Sequence, residues 1–164
     1  MSANVQQSGL ITPGHNVQWL APGVVGDGGA APAAQRVLAS LLGANFNTTS
    51  DQPIAIPQRV TAFQLTGIIV TNPSVTPNVS QGGFYPSSAK GGSPIVAAAQ
   101  SFSSLTSPNS LLTATLTSFA NTTRFSSAVL GTIGGLMQVW FSLTTAQGAA
   151  AAADIYIIGT DLSS

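Results

Sequence analysis

Charged side chains are almost missing from this chain of 164 residues. Four Lys plus Arg balance four acidic residues, all of them Asp, so the formal net charge is zero. A typical soluble domain is about a quarter charged, whereas only 5% of these residues are. Exposed charge keeps proteins apart in solution, so a neutral surface favours self-association or burial against a partner. The composition predicts an assembly subunit, with a weakly charged secreted monomer as the alternative.

Cysteine is absent too, and basic residues nowhere cluster. Without cysteine there is no disulfide, thiolate nucleophile or cysteine-ligated metal. Without a basic patch we expect no nucleic-acid partner. The first residues lack the basic and apolar regions of a secretory signal. The uncharged segment 126–143 contains too many Ser, Gly and Gln residues for a membrane span, so we expect no membrane partner.

Few residues of the chain could act in catalysis or bind a metal ion. His15 is the only histidine, and the four carboxylates, Asp27, Asp51, Asp154 and Asp161, are scattered. Acid–base and nucleophilic catalysis need a positioned base with an orienting partner, and a calcium loop gathers its ligands within about twelve residues. Asp154 and Asp161 alone are that close, and they flank an apolar segment. We therefore expect no catalytic residue, cofactor, metal or small-molecule substrate.

The first 31 residues contain many Pro and Gly and no regular apolar period, which predicts an extended arm. Its apolar residues are too sparse to bury one another and too numerous for a solvated linker. An arm that binds nucleic acid would be basic, yet Met1 to Gly26 carries no charged side chain. We expect the arm to bind protein through Val17, Trp19, Leu20, Val24 and Val25.

Residues 32–42 predict a short helix within the arm. Pro32 suits a first helical turn, Gly43 suits a C-terminal stop, and apolar residues between them recur at spacings of three and four. Residues 45–52 are polar and predict a loop. The chain is therefore divided into an arm, residues 1–50, and a β domain, residues 51–164.

The β domain is predicted from β-branched and alternating segments. These lie at 54–71, with a bulge or kink at Gly67, and at 111–119, 124–130, 136–144 and 154–158. Ser93-Pro94 followed by apolar residues at helical spacing predicts one inserted helix reaching Leu105. The expected fold is a mainly β, antiparallel sandwich with that one helix.

The scarce cations are the remaining candidates for specific contacts. The glycines around Lys90 lack the spacing of a phosphate-binding loop and predict a tight turn. Arg59, Lys90 and Arg124 are well separated and are expected to act singly. Each is a candidate half of an ion pair across an interface.

Two stretches resemble small virion proteins of tailed bacteriophages, of the capsid decoration or cement type. They run from Gly82-Gly83-Phe84-Tyr85 through Ala89-Lys90-Gly91-Gly92 into 95–100, and from Phe141 through Gly148 to Tyr156. The resemblance covers about the C-terminal two thirds and transfers no site residue. It implies a sandwich or jelly-roll body on the capsid exterior, in dimers or trimers, whose arm crosses neighbouring capsid subunits.

The sequence thus predicts a structural virion protein, not an enzyme, that cements capsid subunits. Its expected partners are the major capsid protein and further copies of itself. One alternative is another virion component, such as a tail or head-fibre base protein. The other is a secreted adhesin or carbohydrate-binding sandwich, for which an aromatic platform is expected.

Overall fold

The computed structural model describes residues 34–106 and 108–163. Within them the chain forms ten strands and one short helix. In chain order these are β1 (Gln35–Asn45), β2 (Gln52–Ala55), β3 (Ala62–Thr71), β4 (Gln81–Tyr85), β5 (Val96–Ser101), β6 (Leu111–Thr113), α1 (Ser118–Thr122), β7 (Arg124–Ser126), β8 (Thr132–Ile133), β9 (Leu136–Thr145) and β10 (Ala152–Asp161).

The strands form two antiparallel sheets. Sheet 1 has the order β1-β10-β3-β6, with β7 also paired to β3, and sheet 2 has the order β2-β9-β4-β5, with β8 paired to β9. This topology is a jelly roll, in which one long hairpin is wound into two layers. Its successive pairs are β4·β5, β3·β6, β2·β9 and β1·β10. The predicted antiparallel, jelly-roll-like sandwich is confirmed.

The core lies between the two sheets and is rich in phenylalanine. Phe141 of β9 has its ring centroid 5.1 Å from that of Phe46 and 5.1 Å from that of Phe84, and Phe102 closes the cluster at 5.8 Å. All four rings are fully buried. Tilted and edge-on packing at these distances adds to the gain from burial alone.

The predicted strands 136–144 and 154–158 are present with longer bounds, as β9 and β10, whereas the predicted strand 54–71 is divided by a turn into β2 and β3. In β9 the buried residues Met137, Val139, Phe141 and Leu143 alternate toward the core, as the period of a strand requires. The predicted bulge in β3 is also confirmed. Gly67 pairs with Ile158 and Leu65 with Gly159, so the one residue between them has no partner.

The helix predicted over 32–42 is wrong, because Gln35–Asn45 is strand β1. Two register irregularities, between Val37 and Ala39 and between Leu41 and Ala44, interrupt its pairing with β10. Each bulge inserts extra residues and resets the alternation. The apolar residues therefore recur at spacings that resemble those of a helix. Since β1 is part of sheet 1, the compact β unit begins at Ala34 and not at residue 51.

The inserted helix predicted from Ser93 is also wrong. Val96–Ser101 is strand β5, paired with β4. The helix among the described residues is α1, and only its first two residues, Ser118 and Phe119, belong to the stretch 111–119 predicted as a strand. The hydroxyl of Thr117 accepts a hydrogen bond from the Ala120 N–H and so caps α1. No helix among the described residues is long and apolar enough to cross a membrane.

The glycines on either side of Lys90, which predict a tight turn, lie partly in a strand. Gly82 and Gly83 lie in β4, and a Cβ on Gly83 would approach the carbonyl oxygen of Val96 to 2.4 Å. The close approach of β4 and β5 therefore explains why residue 83 is a glycine, and a turn does not. The turn follows at Ala89 to Gly92, where Lys90 has a φ of 58° and Gly92 a φ of 77°.

Candidate interaction surface

The outer face of sheet 1 presents apolar side chains to solvent at its centre. Val37 pairs with Ile158 across β1 and β10, and Tyr156 pairs with Ile69 across β10 and β3. Val37 is 53% exposed, and Leu42, in the second bulge of β1, is 65% exposed. We call these five residues, Val37, Leu42, Ile69, Tyr156 and Ile158, the apolar face.

The sequence of β10 explains why this face is apolar. Antiparallel sheets with one face in water usually alternate apolar and polar residues. Ile155 and Ile157 point into the core, but Tyr156 and Ile158 on the opposite side are also apolar and only half-buried. An exposed apolar patch on a neutral body is typical of a surface that binds another protein.

Three described carboxylates are engaged within the subunit. Asp51 accepts a hydrogen bond from the Ala89 N–H, and Asp154 accepts bonds from the Gly43 N–H at 2.8 Å and from the Asn72 side-chain amide at 2.9 Å. These hydrogen bonds hold the backbone of the turn at Ala89 and of the second bulge of β1 in place. The predicted absence of a metal site stays a prediction, although no group of three potential ligands occurs within 34–106 and 108–163.

The third carboxylate, Asp161, forms an ion pair with Arg36 at the margin of sheet 1. It also accepts a hydrogen bond from the Ser163 N–H at 2.9 Å. Hydrogen bonds from Ser163, and then the positive charge of Arg36, hold the pKa of Asp161 below its ordinary value of 3.8. This carboxylate therefore stabilises the fold most when it is ionised.

The three predicted interface cations lie on different elements, Arg59 and Lys90 in turns and Arg124 on β7. Arg124 is exposed on β7 and donates a hydrogen bond to the Leu162 carbonyl at 3.2 Å. Arg59 is exposed and Lys90 half-buried, and neither has a hydrogen bond or an acidic partner among the described residues. The predicted arm contacts, Val17, Trp19, Leu20, Val24 and Val25, lie outside the described residues, as do His15 and Asp27.

Sheet 2 carries an aromatic pair that the sequence did not single out. Tyr85 and Trp140 are cross-strand partners on its outer face, and Tyr85 is only 4% exposed. The Tyr85 hydroxyl and the Trp140 indole nitrogen are buried, and neither has a hydrogen-bond partner among the described residues. Burial, and then the charge of Asp51, raise the pKa of Tyr85. A buried Tyr85 ring offers no open platform for stacking a sugar.

A small pocket opens at the end of the sandwich where β2 leads into β3 and β9 begins. We call it the end pocket; its volume is about 210 Å³, below the 300–1,000 Å³ typical of ligand pockets. Its floor is buried and aliphatic, and its rim is polar. The lining residues are Ile56, Gln58, Val60, Thr61, Ser127, Gly135, Leu136 and Met137.

No family model, no curated protein and no solved structure matches this chain.

The apolar face escaped sequence analysis for an identifiable reason. Val37 and Leu42 are among the apolar residues whose spacing predicts a helix over 32–42, whereas the structure places both in strand β1. A signal was nevertheless present in Ile155-Tyr156-Ile157-Ile158, an apolar run covering both faces of one strand. In an antiparallel sheet such a run indicates an outer face that is apolar as well as the inner one.

Proposed function

We propose that this chain is a structural virion protein that binds the outside of a phage capsid and cements neighbouring capsid subunits. Its partners are the major capsid protein and further copies of itself. The observation that carries the proposal is the apolar face, which leaves Val37 and Leu42 more than half exposed on an almost uncharged body. Covering such a surface is the simplest source of binding free energy available to this molecule.

The jelly-roll winding supports the proposal as an analogy of fold. Viral shell proteins and lectins both use it, and a fold alone does not decide function. The burial of Tyr85 favours the virion over a carbohydrate-binding role. The engagement of Asp51, Asp154 and Asp161 in structural contacts favours a structural role over catalysis.

The direct test incubates the purified chain with undecorated heads of a tailed phage and images them by electron microscopy. Regular added density on the outer surface supports the proposal. The matched variants are Val37→Lys and Val79→Lys, because each valine is 53% exposed and only Val37 belongs to the apolar face. We expect Val37→Lys to abolish attachment and Val79→Lys to preserve it.

Two results would contradict this function. Naked heads at saturating protein would exclude capsid cementing for the heads tested. A strong, selective signal on a glycan array would instead favour the carbohydrate-binding alternative. A tail or head-fibre base role would place the added density at one vertex or on the tail, and not over the whole head.

A further inference from the structure

The end pocket has the size and lining for one aliphatic side chain. Its floor is formed by Ile56, Val60 and Met137, which are all at least nine-tenths buried. Its volume of about 210 Å³ is too small for most drug-sized ligands. Inserting an aliphatic side chain would remove apolar surface from water on both partners.

An unpaired cation lies beside this pocket. Pro57 and Val60 close a turn through a 2.8 Å hydrogen bond from the Val60 N–H to the Pro57 carbonyl. Arg59 occupies the exposed corner of that turn, between the lining residues Gln58 and Val60. It has no acidic partner among the described residues. The pocket therefore suits an aliphatic side chain that is followed closely by a carboxylate.

The charges of the chain identify one carboxylate for this role. All four cations lie in the described β unit, but only three of the four aspartates do, and each of those three is engaged in a structural contact. The fourth aspartate is Asp27. It follows directly on Val24-Val25-Gly26, so the chain itself contains an aliphatic pair beside a carboxylate.

We propose that the segment Val24–Asp27 of a second copy docks at the end pocket, with a valine in the pocket and Asp27 paired with Arg59. This inference rests on the proposed function, because it names a second contact, in addition to the apolar face, by which copies join. The chain from Asp27 to Ala34 spans up to about 25 Å when extended. That reach exceeds the radius of gyration of a body of this size, about 14 Å, and is long enough to bridge subunits.

The first experiment introduces single cysteines, which is straightforward because the chain has none of its own. A Gly26→Cys chain is mixed under mild oxidation with a Ser127→Cys chain, whose new thiol lies on the pocket rim. The matched control is Ala149→Cys, another exposed small residue outside the pocket. We expect disulfide-linked heterodimers with Ser127→Cys and at least tenfold fewer with Ala149→Cys. Equal yields would overturn the inference.

A second variant distinguishes docking on a neighbouring copy from docking within the same chain. In the double variant Gly26→Cys, Ser127→Cys, our inference predicts linked dimers and larger species on a denaturing gel. A closed monomer as the main product would overturn docking by a second copy. Misfolding is checked by comparing the circular dichroism of each reduced variant with that of the wild-type chain.

Charge exchange tests the ion pair directly. Asp27→Arg and Arg59→Asp should each weaken self-association roughly tenfold, and the double exchange should restore it. Lys90→Asp is the matched control, since Lys90 also lacks an acidic partner among the described residues, and it should change little. No loss with Arg59→Asp, or loss without restoration, overturns the pairing.

The two proposals fail in different ways. If wild-type chains associate and decorate heads but the cysteine and charge variants show no preference for the end pocket, only this inference fails. If wild-type chains neither associate nor decorate heads, the proposed function fails and this inference fails with it.

Discussion

Asp154 accepts a hydrogen bond from the backbone N–H of Gly43 at 2.8 Å, joining strand β10 to the second bulge of β1. The same carboxylate accepts a bond from the Asn72 side chain at 2.9 Å. Both Gly43 and Asn72 have positive φ, at 67° and 54°. One aspartate therefore holds two turns of the backbone at the margin of the apolar face.

Replacing this carboxylate should destabilise the fold. We expect Asp154→Ala to lower the free energy of unfolding by about 1–2 kcal/mol, since two hydrogen bonds to a half-buried charged group are lost. Asp154→Asn retains one acceptor oxygen and should cost about half as much. Urea titration measures both. An Asp154→Ala variant as stable as the wild type would contradict the structural role.

Gly83 should not tolerate a methyl group. Its Cβ would lie 2.4 Å from the Val96 carbonyl oxygen, so β4 and β5 would have to separate. We expect Gly83→Ala to cost about 1–3 kcal/mol. Gly67→Ala is the matched control, because a Cβ there meets nothing within 4 Å. Equal effects of the two substitutions on the urea midpoint would contradict the packing of β4.

Removing the Tyr85 hydroxyl should not lower the stability of the fold. This buried oxygen has no hydrogen-bond partner within 34–106 and 108–163, so Tyr85→Phe removes a desolvated polar group without breaking a bond there. The variant should be as stable as the wild type or more stable, by up to about 1 kcal/mol. Thermal unfolding followed by circular dichroism tests this. A clear loss of stability would show that the hydroxyl has an acceptor.

Asp161 should contribute to acid sensitivity. Its pKa is lowered in the folded state by Ser163 and then by Arg36, so the unfolded state binds more protons at low pH. Its contribution is present above its ordinary value of 3.8 and is lost as the pH falls through the lower folded value. For this exposed pair we expect less than about 1 kcal/mol.

The variant Asp161→Asn isolates that contribution. Urea midpoints of the two proteins should differ at pH 6 and converge toward pH 2, where the wild-type carboxylate is protonated. A difference that is constant across this range would mean that the charge of Asp161 does not stabilise the fold.

The sequence predicted the fold class well where alternation is uninterrupted. Strands β9 and β10 have regular buried residues, so their type was predictable. Strand β1 was missed because two bulges disturb its period, and β5 because the apolar residues that flank it, Ile95, Phe102 and Leu105, fall at a helical spacing. A local sequence pattern does not indicate which strands pair with each other. Strand pairing is determined by the topology of the whole jelly roll.

The candidate surface was less predictable than the fold. Neutral composition predicts a weakly charged surface, but it does not show where the apolar side chains gather. Val37 and Ile158 are 121 positions apart and meet only through the β1·β10 pairing. Likewise, Arg59 could be singled out from the sequence for its rarity, whereas its place beside the end pocket depends on the turn between β2 and β3.

The central claim is that the apolar face joins this protein to other subunits. Sedimentation velocity at micromolar concentrations, on the wild type, Val37→Lys and Val79→Lys, tests it most directly. We predict a stable oligomer for the wild type and for Val79→Lys, and a folded monomer for Val37→Lys. A wild-type chain that remains monomeric at every concentration, or a Val37→Lys chain that assembles like the wild type, would contradict the claim.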